Sequence, residues 1–187
     1  QQTAAGAGGF FRTQQITSNT KGAHGWNQAI KSETQAYKIF STDDAKAKAL
    51  RDNGFGTVLT HHKDGIARGI GAVVTLANKK ENMVILKDKA SAHYSFSKGS
   101  SGQVYPSSMM GSIALLRQTY LDARWYKANE SKENLNITLQ AWNNNQSLPQ
   151  VFEATDKWTD LRADRIGDEF GVQYIIKGGG NEYQRIR

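Results

Sequence analysis

The chain contains no cysteine in its 187 residues, which excludes both disulfides and thiolate metal sites. Apolar runs are short. None approaches the roughly 20 residues of a membrane-spanning helix, so no membrane partner is expected. There is no G-x-S-x-G nucleophile elbow. The triple glycine Gly178-Gly179-Gly180 is not followed by the Lys-Ser/Thr of a phosphate-binding loop. Dense basic blocks are also missing. The net charge is +7, with 13 Lys/Arg against 7 Asp/Glu in residues 1–90 and 11 against 10 in residues 91–187. The lysines alternate with acids, so a solvated surface is expected rather than a nucleic-acid footprint.

What is present suits a globular domain, at 38% hydrophobic and 22% charged residues, and a chain of this length can bury a real core. Residues 1–35 are rich in Gly, Gln, Thr, Ser and Asn. They read as a loosely ordered leader, anchored through Trp26. Residues 36–187 read as the folded domain. STDDAKAKALRDNG is a helix capped by Ser41 or Thr42, and GTVLTHH is a strand leaving through HKDG. Ile70–Ala77 and Met83–Phe96 flank a five-residue polar loop and form a hairpin, expected as an insertion beside a parallel sheet. A long helix opens at Pro106-Ser107-Ser108, with Met109, Ile113, Leu116, Tyr120, Leu121 and Trp125 on its apolar side. A second spans Asn136–Asn145.

Residues 148–180 organise the rest. Leu148, Val151 and Phe152 make a short buried strand. Thr155 or Asp156 caps a helix whose Trp158, Leu161, Ile166 and Phe170 share a stripe, and Gly171 stops it. Val172–Ile176 form the next strand. Two strands joined through a helix run parallel, giving a βαβ unit. In parallel α/β folds ligands bind beyond the carboxyl ends of strands. Those ends are Glu153-Ala154-Thr155 and Lys177-Gly178-Gly179, so Glu153 and Lys177 are expected to open onto one cavity. His61-His62 lies at the end of another strand, followed by Asp64. Only one of two adjacent histidines can face a given pocket. A mononuclear zinc needs about three converging ligands, and His61 or His62, Asp64 and Glu153 supply them only if their strand ends are neighbours. The acids of the 156–169 helix read as an exposed side paired with Arg162 and Arg165.

Three segments together resemble the amidohydrolase superfamily, on its imidazolonepropionase-like branch. In AKALRDNGFGTVLTHHKDGIARGIGAVVTL, the residues Gly54, Thr57, Val58, Gly69, Gly71 and Ala72 match the family pattern, while Gly56 and Arg68 depart from it. MVILKDKASAHYSFSKG is similar to the run that follows. Leu148-Pro149, Arg162, Ile166, Glu169, Phe170 and Gly171 match a later strand and helix. The likeness spans Ile30–Tyr183.

The resemblance implies an α/β fold: part of a metal-bearing (β/α)8 TIM-like barrel, here with an inserted β-hairpin. It implies hydrolysis of amide or related C–N bonds, often cyclic, with a divalent metal such as zinc. The family's ligand histidines are not retained. Where strands often end His-x-His and Glu-His-Gly, this chain has Glu153-Ala154-Thr155 and Lys177-Gly178-Gly179, so no metal ligand is assigned. Glu153 is then expected as ligand or general base and Lys177 as an electrostatic partner for substrate. His61, His62, Asp64, Gly178 and Gly179 are expected to contribute to substrate binding. The chain begins Gln-Gln and stops one turn into a helix opened by Asn181, so it is expected to be a catalytically incomplete piece. Its partners would be the remainder of the parent barrel, a small-molecule substrate, or further copies of itself at unpaired sheet edges. A metal-free barrel that binds a small anion is the alternative. The compartment stays open, export included.

Overall fold

A computed structural model describes residues 18–185; the leader's Phe10, Phe11 and Ile16 lie outside the described residues. Five strands form one sheet in chain order: β1 (Thr57–Thr60), β2 (Ala67–Thr75), β3 (Ile85–Ser95), β4 (Gln150–Glu153) and β5 (Tyr174–Lys177). The helices are α1 (Ala36–Ile39), α2 (Asp44–Asp52), α3 (Glu81–Val84), α4 (Met109–Asn129), α5 (Ile137–Asn145) and α6 (Lys157–Phe170), with a 3-10 turn at Glu182–Arg185. β2 runs antiparallel to both β1 and β3, and β3, β4 and β5 are parallel. The expected βαβ unit is therefore present as β4-α6-β5.

The sheet is open and mixed rather than a closed barrel of parallel units. The hairpin β2–β3 is not an insertion beside it, because β3 is the central strand and joins the antiparallel half to the parallel half. A hairpin pattern fixes only the pairing between its own two strands. The neighbour on the far side of β3 comes from a segment more than fifty residues away.

Helix ends follow local chemistry. The Asp43 side chain, not Ser41 or Thr42, accepts the Lys46 amide at 3.0 Å and caps α2. Ser108 caps α4 and Asn136 caps α5. Asp156 and Thr159 form a reciprocal capping box on α6, and Gly171 ends it at φ 71°, a left-handed conformation that costs glycine little.

Residues paired across strands share a face. Tyr94, Phe152 and Ile176 align on one face, with Ala92, Gln150 and Tyr174 on the same side. Helices α4, α5 and α6 cover it with Leu116, Tyr120, Trp142, Ala163 and Ile166. The aromatic rings interlock: Tyr94 and Tyr120 both meet Trp142 edge-on, and Tyr120 stacks on Phe170 at 4.4 Å. Burying each large apolar side chain contributes roughly 1.5–3 kcal/mol. Two expected stripes are rotated. Leu121 and Trp125 of α4, and Trp158 and Leu161 of α6, are exposed, while Ala123, Ala163 and Gly167 face inward. Small residues win the contact because they let the helix approach closely; a Cβ on Gly167 would come within 2.5 Å of the Val172 carbonyl.

Residues 18–35 show no break at residue 35. Ile30 bridges to Ala67 and Gln35 to Ile70, and Asn27, Ala29, Ile30 and Ser32 are buried. Trp26, expected as the anchor, is 41% exposed and stacks on Tyr105. Its neighbours hold the segment instead, through backbone pairing and the buried Asn27 amide, which donates to the Tyr105 carbonyl at 3.0 Å.

Candidate functional site

The second face of the sheet carries the polar residues. The register sets Ser95 beside Glu153 and Glu153 beside Lys177, so three parallel strands end with their last side chains in one row. The period-2 pattern of SAHYSF adds Ser91 and His93 to the same face. Arg68 reaches in from β2 and is almost wholly buried. Its Nη1 donates to Glu153 Oε2 at 2.8 Å, its Nη2 to Ser95 Oγ at 2.9 Å and its Nε to the Gly65 carbonyl at 3.2 Å. Lys177 Nζ donates to the same Glu153 oxygen at 3.3 Å. One carboxylate thus stands between two cations.

Burial pushes the Glu153 carboxyl up, but hydrogen bonds and charge from Arg68 and Lys177 outweigh it and hold the pKa below the usual value. An ionised, doubly paired carboxylate is a poor proton acceptor near neutrality. The structure therefore makes Glu153 an organiser of the two cations rather than the expected general base or metal ligand.

His61, just past β1, lies flat on His93 with ring centroids 4.0 Å apart and planes 7° from parallel. Gly71 permits this stack, because a Cβ there would sit 2.6 Å from His93 Nε2 and 3.0 Å from the Thr60 carbonyl. His93 is buried, with Nε2 and Ser91 Oγ 2.9 Å apart. Burial, then the neighbouring His61, Arg68 and Lys177, lower its pKa to about 3. His61 Nδ1 lies 2.9 Å from the His62 carbonyl, which as an acceptor selects the Nδ1–H tautomer and leaves Nε2 with its lone pair. Burial lowers the His61 pKa, the His62 contact opposes this, and Arg68 and Lys177 lower it further. His61 is neutral at physiological pH, with a basic nitrogen available.

The remaining expected residues go elsewhere. His62 takes no part in the His93 stack and lines a cavity against α2, which His61 also borders. Asp64 is bound to Lys31 Nζ and to the Ser100 amide and hydroxyl. Burial acts to raise its pKa, but these partners hold it far below the usual range. Asp64 ties two loops together and does not join the cluster. The Gly179 and Gly180 amides donate to the chain's own Glu182 carboxylate, at 3.1 and 2.9 Å for Gly180. A Cβ on Gly178 would strike that carboxylate, and one on Gly179 would strike the Thr155 carbonyl. The glycine loop is therefore shaped around an internal anion. Burial and the adjacent Glu182 raise the pKa of Asp160. The other helix acids are not paired as expected either: Glu169 meets Arg117 of α4 at 2.7 Å.

The residues do not fit a zinc site. Two strands separate β1 from β4, so the ends carrying His61 and Glu153 are not neighbours. Among the described residues no three His, Asp or Glu side chains converge as a metal requires. Arg68 and Lys177 would also repel a second cation at Glu153. Sequence reasoning missed Arg68, Ser95 and Glu182; His93 reads from its strand as a packed or hydrogen-bonded histidine, which it is. Arg68 was signalled only as a departure from the family pattern, and Ser95 and His93 by strand alternation.

No protein-family model matches the chain. No curated protein matches it either. Among solved structures, an amidohydrolase from Thermotoga maritima MSB8 is similar over 84% of this chain, with a TM-score of 0.71 and 21% identity. The chain spans 46% of the length of that structure, so it corresponds to less than half of it. At this identity the likeness is one of fold: this chain has an amidohydrolase-like α/β architecture.

Proposed function

We propose that the chain is one part of an amidohydrolase-like protein whose intact form hydrolyses C–N bonds, cyclic ones among them, in small substrates carrying or developing negative charge. The observation that carries this reading is the row of strand ends on the polar sheet face, where a neutral His61 stacked on His93 lies within the electrostatic reach of Lys177 and the Arg68–Glu153 pair. His61 Nε2 would take a proton from the attacking water. Lys177 would stabilise the negative charge that develops on the carbonyl oxygen as water adds. The proton then passes to the departing nitrogen as the C–N bond breaks. Arg68 and Glu153 hold Lys177 in place. The exposed hydrogen-bonding edges of β1 and β5 are where further strands of such a parent would add.

The test is turnover of cyclic-imide and imidazolone-type substrates by the longer parent. His61→Gln is expected to lower kcat by about 10²–10⁴-fold, and Lys177→Met to lower it by less. No turnover by the parent, or full activity in His61→Gln, overturns the reading.

A second reading is favoured by the absence of a converging ligand trio among the described residues. In it the same face binds a small carboxylate without metal. Chelator-insensitive stabilisation of the chain by succinate, lost in Lys177→Met, supports this reading; no succinate response ends it.

A further inference from the structure

On the opposite side of the sheet from the strand-end cluster, α2 stands away from the strands beside it. None of its residues is buried, and a cavity of about 460 Å³ lies between it, α1 and the β1–β2 pair. That volume is within the range of small-molecule sites. Val58 and Val74 form its floor, and Ile39 and Leu50 its walls. Val74 is buried, whereas Ile39 and Leu50 stay 58% and 36% exposed, so the apolar walls are incompletely covered.

One end of this cavity is polar. His62 Nδ1 is buried there without a hydrogen-bond partner, which is costly for a ring nitrogen cut off from water. Lys63, beside it, is exposed and makes no ion pair among the described residues, whereas Lys46 across the mouth is held by Asp43 at 3.0 Å. An apolar trough closed by an unpaired ammonium and an unsatisfied imidazole nitrogen matches one ligand chemistry. It fits an aliphatic body with a carboxylate head.

We propose that this cavity binds a medium-chain aliphatic carboxylate, with its chain between Leu50 and Val74 and its head accepting from His62 Nδ1–H and Lys63 Nζ. The site meets the strand-end cluster at His61 but does not depend on the function assigned to that cluster. His61 borders this cavity as well as stacking on His93, whereas His62 belongs to the cavity alone.

Octanoate is the probe, titrated into the chain by calorimetry and followed in amide NMR spectra, which also report folding of each variant. Saturable one-to-one binding is expected, with octan-1-ol binding several-fold more weakly. Lys63→Ala should weaken octanoate by about three- to tenfold. Leu50→Glu should weaken it at least tenfold, and Lys63→Ala carries the test if Leu50→Glu does not fold. Lys177→Met should leave octanoate affinity unchanged, which separates this site from the cluster. No saturable uptake by folded protein overturns the proposal. So does affinity indifferent to Lys63→Ala, or affinity lost in Lys177→Met.

Discussion

The two faces of the one sheet obey opposite rules. Under α4, α5 and α6, side chains from β3, β4 and β5 meet as interlocked rings, and their few polar atoms are satisfied locally. Tyr94 donates to Gln150 at 2.6 Å, and the Tyr120 and Tyr174 hydroxyls meet at 2.6 Å. On the other face, no described helix covers the row of Glu153, Lys177, His93 and Arg68; the first, second and last pair by charge, and His93 stacks on His61. The same strands serve both faces because alternate side chains point oppositely. A short strand can thus anchor a core with Phe152 and present chemistry with Glu153 one residue later.

The contrast is sharpest at Phe152, which is fully buried. Phe152→Ala is expected to cost about 3–5 kcal/mol by loss of apolar transfer and creation of a cavity, measured by urea denaturation. On the polar face Arg68→Ala should cost about 2–3 kcal/mol, since it leaves Glu153 beside a partly buried gap. A double-mutant cycle with Glu153→Gln should recover part of that loss. Additive single effects would show that the two side chains do not interact.

Acid distinguishes the faces next. The His93 pKa falls from 6.5 to about 3 on folding, so between those values the unfolded chain binds the extra proton. Stability therefore declines as pH falls below 6.5, by about 1.4 kcal/mol per pH unit, and reaches a floor near pH 3 as the folded form protonates too. His93→Gln should flatten that slope; an unchanged slope would mean that His93 already titrates normally in the folded protein. The smallest effect belongs to Lys177→Met. Its side chain is 53% exposed, and the change should alter stability by less than about 1 kcal/mol while still abolishing the anion response. A large loss of stability there would make Lys177 part of the scaffold rather than of the site.

Much of the fold was legible because its signals are local. Caps at Ser108 and Asp156, the stop at Gly171, the 70–96 hairpin and the β4-α6-β5 unit each depend on residues within a few turns or one loop of each other. Misreadings arose where the deciding contact was remote. Trp26, Trp125 and Trp158 look like anchors by hydrophobicity. Which side of a helix is buried depends on what it packs against, and there small residues prevailed. The inserted barrel hairpin failed for the same reason, because β3's parallel partner is β4.

The sequence by itself determined the order of the main elements, the caps at Ser108 and Asp156, and the presence of Glu153 and Lys177 at the ends of two parallel strands. All of these follow from short-range hydrogen bonding and side-chain periodicity. Only the tertiary structure decided that Arg68, 85 residues before Glu153, would lock that carboxylate. It also decided that His61 would stack on His93, that Glu182 would occupy the glycine amides, and that the described sheet would stay open. The physical reason is that strand order and register bring these groups together, and neither is encoded within any single segment of the chain.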